Sequence, residues 1–235
     1  MSSNDPTDQL EALRQKRGFL LPHHGLMAIA MPEVLSAYDT LYSRLAYSPG
    51  VLSERDHEFV WLAILAARDE GLATHHVARF LDAGGRGADI EGLLAIVATA
   101  AGCRAWQFAD RAWSAHVPGL DAATAYLEAF RRGAGDIALP LAHLAGIATQ
   151  VCRGNWAGLR WQLRGAYADR SAEDDIAHAL ALTMFPGSVP NFAQAARVWR
   201  ELILAGEIDA GEDYRAWAEY PGQGGYDEAS GGVNG

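Results

Sequence analysis

Residues 89–96 read DIEGLLAI, and residues 175–182, which lie 86 positions later, read DIAHALAL. The same shift of 86 carries Trp113 onto Trp199. Matching segments at a fixed spacing indicate a duplicated structural unit, since a helical unit with one apolar face cannot bury that face alone. The sequence therefore predicts a tandem repeat around one shared core, and the chemical question is which copy keeps reactive side chains.

The apolar residues recur with a helical period along almost the whole chain. No stretch alternates β-branched or aromatic residues with polar ones over the length of a strand, so a sheet has no support. Pro32, Ser53 and residues 171–174 carry the signals of helix starts. We therefore predict an all-α fold. After the helices that begin near Pro32 and Ser53, predicted helices cover residues 74–82, 87–100, 104–116, 121–132, 137–152, 155–168, 172–184 and 190–205.

This pattern predicts four segments. Residues 1–20 form an N-terminal arm, residues 21–120 the first repeat, residues 121–205 a second, degenerate repeat, and residues 206–235 an acidic, glycine-rich tail. The tail has eight glycines, seven acidic residues and one arginine, which gives it a local charge of −6. Such a composition is typical of a solvated, partly disordered segment. The aromatic residues interleaved there leave open a tail packed over its own or a neighbouring subunit.

Composition restricts the partners of the chain. The net charge is −10 over 235 residues, with an isoelectric point near 5.2, which argues against nucleic acid or an anionic membrane as a partner. The N-terminal residues lack the basic and then apolar run of a secretory signal. No uninterrupted apolar stretch approaches the roughly 20 residues that span a bilayer. We expect a cytoplasmic protein.

The strongest candidates for chemistry lie early in the first repeat. Glu58 sits in a predicted helix, and His75 and His76 lie at the start of the next one. A carboxylate beside an imidazole on adjacent helices is a workable acid/base pair, because the carboxylate orients the ring and raises its pKa. Consecutive helix residues point about 100° apart, so only one of the two histidines faces inward. The alternative is a charge pair at a helix N-terminus beside a structural core histidine.

Other polar residues give weaker signals. His57 lies beside Glu58, and Trp61, four residues after His57, is expected to wall a pocket on that side. His23 and His24 lie in a loop-like stretch. No spacing of His, Asp and Glu brings together the three or four ligands that a zinc site needs, so no metal is expected. Cys103 and Cys152 form no CxxC motif, and the simplest interpretation is two small buried side chains.

Three stretches resemble the carboxymuconolactone decarboxylase family, which is related to alkylhydroperoxidase D. Residues 52–67, LSERDHEFVWLAILAA, resemble the opening helix of the family, and residues 76–84, HVARFLDAG, its histidine, helix and Ala-Gly. Residues 185–195, FPGSVPNFAQA, resemble its closing Gly-x-Pro segment. The likeness covers about residues 20–205. It implies an oligomeric helical bundle like that of alkylhydroperoxidase D, with active sites near subunit contacts.

The resemblance also separates two branches of the family. In the peroxidase branch, a glutamate, a CxxC pair and a histidine form a proton relay, and Glu58 and His76 match its outer members. Residues 68–74, RDEGLAT, contain no cysteine, so disulfide-exchange chemistry is excluded. The decarboxylase branch lacks the CxxC and has a Glu-Trp pair before the histidine, where this chain has Leu72 and Ala73. The spacing from Glu58 to His76 is one residue shorter than the family pattern.

The second repeat has lost the matching residues. At the shift of 86, Glu58 becomes Leu144 and His76 becomes Gln162, while His57 keeps a counterpart in His143. We therefore expect one site per chain, in the first repeat.

The resemblance implies a cofactor-free lyase or isomerase acting on a small, anionic, carboxylated substrate. His76 is expected to be the general acid/base and Glu58 its orienting partner. The pocket candidates are His75, His57 and Trp61, with Arg79 or Arg104 to hold the substrate carboxylate. The alternative is a non-catalytic helical scaffold or binding protein, favoured by Leu72-Ala73 and by the degenerate second repeat.

Overall fold

The structure, a computed structural model, describes residues 5–48, 50–225 and 228. These residues form thirteen α-helices and no strand, which confirms the all-α prediction. The chain divides into two compact units, Met1–Gly50 and Val51–Gly235. This boundary falls inside the predicted first repeat, and the helices of residues 51–120 and of the predicted second repeat share the second unit.

The first unit holds α1 (Pro6–Arg17), α2 (Pro22–Ala30) and α3 (Pro32–Ala46). The second unit holds α4 (Glu54–Arg68), α5 (His75–Asp82), α6 (Gly87–Ala101), α7 (Cys103–Trp113), α8 (Ala122–Ala134), α9 (Leu139–Cys152), α10 (Trp156–Ala168), α11 (Glu173–Leu182), α12 (Val189–Leu204) and α13 (Glu212–Glu219).

The N-terminal segment is helical, although the sequence predicted an arm and a loop there. The predicted arm, residues 1–20, contains α1, and His23 and His24 lie in α2. Pro22 starts α2, since a first-turn residue needs no N–H bond. His24 Nδ1 then accepts the Leu21 N–H at 3.0 Å, which caps the helix. A small core of Leu13, Ala28 and Leu35 holds the first unit together.

Helices α4 and α9 pack against each other in the core of the second unit. Nearly every residue of α4 from His57 onward, and every residue of α9 from Leu141 onward, is buried. A helix that is apolar on all sides needs neighbours on all sides. Helices α5 and α6 cover α4, and α6, α10 and α11 cover α9, so polar side chains on α4 are enclosed.

The observed helix N-termini can be compared with the N-caps that the sequence predicted. Ser53 caps α4 as predicted, with Oγ accepting the Asp56 N–H at 3.1 Å. Ser171 does not cap α11, whose N-cap is Ala172. The Ser171 N–H instead donates to Ala166 O at the end of α10. This bond holds Ser171 at the end of α10, one residue before the N-cap position of α11. Its buried hydroxyl has no hydrogen-bond partner among the described residues.

Two helix pairs keep the predicted spacing of 86 residues. Helices α6 and α11 begin at Gly87 and Glu173, and α7 and α12 begin at Cys103 and Val189. The equal offsets are what a duplication produces, and the duplication itself stays a prediction.

Part of the predicted tail is folded. Helix α13 packs against α12, with the rings of Tyr214 and Trp217 centred 5.0 and 5.5 Å from that of Trp199. Since α13 carries these aromatic contacts, the prediction of a solvated tail is wrong for residues 212–219. Residues 226, 227 and 229–235 of that prediction lie outside the described residues.

One stretch, residues 87–113, is long and apolar enough to cross a membrane, although the sequence predicted none. It comprises α6 and α7, which meet at Gly102, and 39% of its most apolar window is buried inside the protein. Core helices of folded domains meet the same criteria, so this is weak evidence for a span.

Candidate functional site

Glu58 and His76 meet in the interior of the second unit. His76 Nδ1 lies 2.6 Å from Glu58 Oε2, and both side chains are fully buried. Arg79, one turn after His76 on α5, donates from Nε to Glu58 Oε1 at 2.5 Å and is 28% exposed. Helix α4 places the carboxylate, and α5 places both of its partners. The structure therefore brings together the two residues predicted to carry the chemistry.

The ionisation of Glu58 determines which atoms donate and which accept in its hydrogen bonds with His76 and Arg79. Burial raises the pKa of Glu58, but its hydrogen bonds and electrostatic interactions with His76 and Arg79 outweigh burial, so the pKa is lowered overall. The carboxylate is thus ionised and accepts from both neighbours. Because His76 Nδ1 donates to Glu58, the other ring nitrogen, Nε2, takes no part in this pair. Nε2 is buried and has no hydrogen-bond partner among the described residues.

Trp61 links His76 to a second pair of histidines. Its indole stacks on the His76 ring at 4.5 Å and 13°, and its Nε1 donates to His57 Nε2 at 3.2 Å. A neutral ring that accepts at Nε2 carries its proton on Nδ1, so His57 Nδ1 donates to His178 Nε2 at 3.1 Å. Trp61 and His57 were predicted to line a pocket; here both are buried, Trp61 against His76 and His57 between Trp61 and His178.

The remaining predicted residues lie in different surroundings. His75 is partly buried, with its ring 4.2 Å from that of His76, as expected for neighbours on a helix of which one faces inward. Arg79 is the ionic partner of Glu58. Arg104 lies at a different cleft, with Arg68 and Cys152.

The main clefts among the described residues of the second unit are not lined by the buried pair. The cleft with the most apolar lining, about 350 Å³, lies between α4, α5 and α6 and is lined by Leu65, Val77 and Leu93 among others. None of the five principal clefts includes Glu58 or His76. His76 and Val77 are consecutive residues of α5, so the cleft and the imidazole lie on different faces of that helix.

A second carboxylate–histidine cluster was not predicted. His143 Nε2 lies 2.7 Å from Asp169 Oδ2, and Arg131 Nε donates to the same oxygen at 2.8 Å. His143 Nδ1 lies 2.8 Å from Gln162 Nε2. Burial lowers the pKa of His143 more than Asp169 raises it, so the ring is neutral. The only sequence signal was that His143 and Gln162 stand where His57 and His76 stand in the first repeat.

The cysteines and possible metal ligands give no further site. Burial raises the pKa of both Cys103 and Cys152 to about 12, so neither forms the thiolate that nucleophilic or redox chemistry requires. Among the described residues, no group of three or more His, Cys, Asp or Glu side chains is arranged to hold a metal ion.

Comparison with known proteins adds one finding. Residues 32–115 match the model of the carboxymuconolactone decarboxylase family. No curated protein and no solved structure matches the chain. The match lies within the predicted first repeat and contains Glu58 and His76. It confirms the resemblance for this segment of the chain.

Proposed function

We propose that this chain, whose residues 32–115 belong to the carboxymuconolactone decarboxylase family, is a cofactor-free lyase or isomerase that acts on a small carboxylated substrate. The observation that carries the proposal is the asymmetry of the His76 ring. Nδ1 is held by Glu58 at 2.6 Å, while the buried Nε2 has no hydrogen-bond partner among the described residues. An imidazole fixed in this way presents one nitrogen to a substrate.

Glu58 and Arg79 set the protonation of that ring. The ionised Glu58 fixes a proton on Nδ1, and the hydrogen bonds from His76 and Arg79 keep Glu58 ionised despite its burial. Nε2 then accepts a proton, which gives an imidazolium stabilised by the adjacent carboxylate. Trp61, stacked on one face of the ring, restricts its rotation. His76 is therefore the general acid/base, and Glu58 is a positioning residue.

Decarboxylation of a lactone acid uses such a group directly. When the carbon–carboxylate bond breaks, CO₂ leaves and its electron pair moves into the conjugated lactone carbonyl as an enolate. The His76 imidazolium then delivers its Nε2 proton to carbon, which leaves the ring neutral. The terminal nitrogens of Arg79 extend toward Glu54 at 3.8 Å on the exposed side of the pair, and we assign them to the substrate carboxylate.

The proposal includes the surroundings in which the enzyme works. We propose a cytoplasmic homo-oligomer that uses neither nucleic acid nor a membrane, in keeping with its net charge of −10. Because the principal clefts leave out His76, substrate reaches Nε2 by a movement of α5 or at a contact between copies. Sites near subunit contacts are what the family resemblance implies.

The test is a screen of the purified chain against carboxylated lactones, followed by CO₂ release and loss of ultraviolet absorbance. His76→Ala is expected to lower kcat by about 10²–10⁴-fold, the usual effect of losing a positioned acid/base. Glu58→Gln should lower kcat less, because it removes only the charge that orients the ring. Replacing both Cys103 and Cys152 with alanine should leave kcat largely unchanged.

A second candidate, a non-catalytic scaffold, is favoured by the complete burial of His76. On that alternative, Glu58, His76 and Arg79 are a structural ion-pair cluster. Full activity of a folded His76→Ala variant would exclude the proposed role of His76. Dithiol-dependent hydroperoxide turnover that disappears in the double cysteine variant would place the chain in the peroxidase branch instead.

A further inference from the structure

A polar cleft lies at the C-terminal ends of α4 and α9, remote from Glu58. Its volume is about 360 Å³, and its lining includes Arg68, Arg104 and Arg153, of which Arg104 and Arg153 are exposed. These residues come from the last turn of α4, the first turn of α7 and the turn after α9. No acidic residue lines the cleft. Three cations from separate parts of the fold therefore share one space.

The three arginines have no carboxylate partner within the part of the chain that the structure describes. Arg68 donates from one terminal nitrogen to Cys152 O at 3.1 Å and forms no ion pair with a described Asp or Glu. Arg104 and Arg153 form no ion pair with a described Asp or Glu. In a chain with 29 acidic and 19 basic residues, this is a local reversal of charge. An anion bound in the cleft is attracted by all three charges.

One polar residue that lines the cleft, Asn155, is buried and fully hydrogen-bonded to its neighbours. Asn155 is only 8% exposed. Its amide nitrogen donates to Gln150 Oε1 and its oxygen accepts from Gln107 Nε2, each at 2.8 Å. Asn155 also caps α10 by accepting the Gly158 N–H, so the positive end of that helix adjoins the cleft together with the negative ends of α4 and α9. Cys152 contributes a thiol rather than a thiolate, because burial raises its pKa to about 12.

We propose that this cleft binds a small, doubly charged oxyanion, the phosphate group of inorganic phosphate or of a small phosphomonoester. A guanidinium binds two oxygens of such an anion through parallel N–H bonds, and three guanidiniums can surround its tetrahedron. The cleft is larger than one phosphate ion, which leaves space for a short organic substituent.

This site is separate from the proposed acid/base pair. Arg68 follows Glu58 by ten residues on α4, which is about 15 Å along the helix axis. A phosphate group held by Arg68 is therefore out of reach of His76, and the inference stands whether or not the proposed lyase activity is found.

The test is calorimetric titration of the full chain with inorganic phosphate and with glycerol 3-phosphate at constant ionic strength. Saturable binding at millimolar concentration or below is expected, together with a rise in Tm. Arg104→Gln and Arg153→Gln should each weaken binding about tenfold or more, since each removes a charge-assisted fork. Arg111→Gln, which removes the same charge from an exposed position on α7, should bind as the parent chain does.

The outcomes separate the two sources of the ligand. Tighter binding of glycerol 3-phosphate identifies a phosphomonoester, and equal or weaker binding identifies free phosphate. Absence of saturable binding by the folded parent chain would overturn the inference. Equal weakening by Arg111→Gln would also overturn it, because attraction would then follow net charge rather than this cleft. Arg68 is left intact because its bond to Cys152 O is structural.

Discussion

His76 and His143 are both fully buried in the second unit, and each hydrogen-bonds a carboxylate that also pairs with an arginine. Each ring also stacks on an aromatic side chain, His76 on Trp61 at 4.5 Å and His143 on Phe130 at 5.1 Å. Glu58 and His76 lie in the segment that matches the family model, and His143 and Asp169 lie in the predicted second repeat, outside that match. Their gross composition does not distinguish a reactive site from a structural one.

The ring nitrogens do distinguish the two clusters. His143 uses both, Nε2 toward Asp169 and Nδ1 toward Gln162, whereas His76 uses only Nδ1. A ring with both nitrogens bonded must break a bond before it can serve a ligand. A buried histidine–carboxylate pair is therefore weak evidence for chemistry, and an unused nitrogen is stronger evidence.

The largest expected effect tests this contrast. His143→Ala should lower the free energy of unfolding by about 2–4 kcal/mol, because it leaves Gln162 and Asp169 each short of a bond and opens a cavity beside Phe130. Urea denaturation measures the loss. Any lactone activity of the folded fraction should be unchanged, whereas His76→Ala should lose it. A kcat loss in His143→Ala comparable to that in His76→Ala would contradict the comparison.

The second prediction concerns how tightly the His143 ring is enclosed. A Cβ added at Gly165 would lie 2.6 Å from Leu127 Cδ2 and 2.7 Å from His143 Cε1. Gly165→Ala should therefore lower the free energy of unfolding by about 1–3 kcal/mol, the usual effect of overpacking. Gly87→Ala is the matched control, since a Cβ there meets nothing within 4 Å. Equal stability of the two variants would show that this ring is loosely packed.

The smallest effect is the pH dependence of stability. Burial lowers the pKa of His143 below its ordinary 6.5, so the unfolded chain takes up that proton first and stability falls as pH drops below 6.5. His143→Gln should flatten this part of the profile by up to about 1.4 kcal/mol per pH unit. Partly buried His178, whose pKa is also lowered by burial, keeps part of this pH dependence in the variant.

Glu58→Gln should flatten a different part of the same profile. The pKa of Glu58 is lowered from 4.5 in the folded state, so its contribution to stability is complete above 4.5 and is lost below it. Urea denaturation at a series of pH values measures both variants. Flattening in the same pH range for both would contradict the distinction between the two clusters.

Local signals allowed much of the fold to be predicted. Helices α6, α9, α10 and α12 begin within two residues of their predicted starts, and Ser53 caps α4 as expected. Apolar period and capping depend on neighbours in the chain, so a single sequence contains them. The acid/base candidates Glu58 and His76 were found by family pattern, and their direct contact agrees with it.

Equivalent sequence positions did not guarantee equivalent environments. Trp113 and Trp199 match at the shift of 86, yet Trp113 is 52% exposed and Trp199 is 2% exposed. Helix α7 ends at Trp113, while α12 continues for five residues after Trp199 and is covered by α13. The composition of the tail gave no clear prediction that α13 covers α12, because glycines and acidic residues outnumber the few aromatic residues that pack there.

The sequence by itself determined the helical class, most helix positions and the pairing of Glu58 with His76. Only the tertiary structure decided what each buried ring contacts. His57 meets His178 across 121 positions of the chain, and His143 meets Asp169 across 26. Such contacts arise from the packing of α4 on α11 and of α9 on α10. The physical reason is that helix packing determines which distant side chains contact a histidine ring. Those contacts determine which ring nitrogen remains without a hydrogen bond.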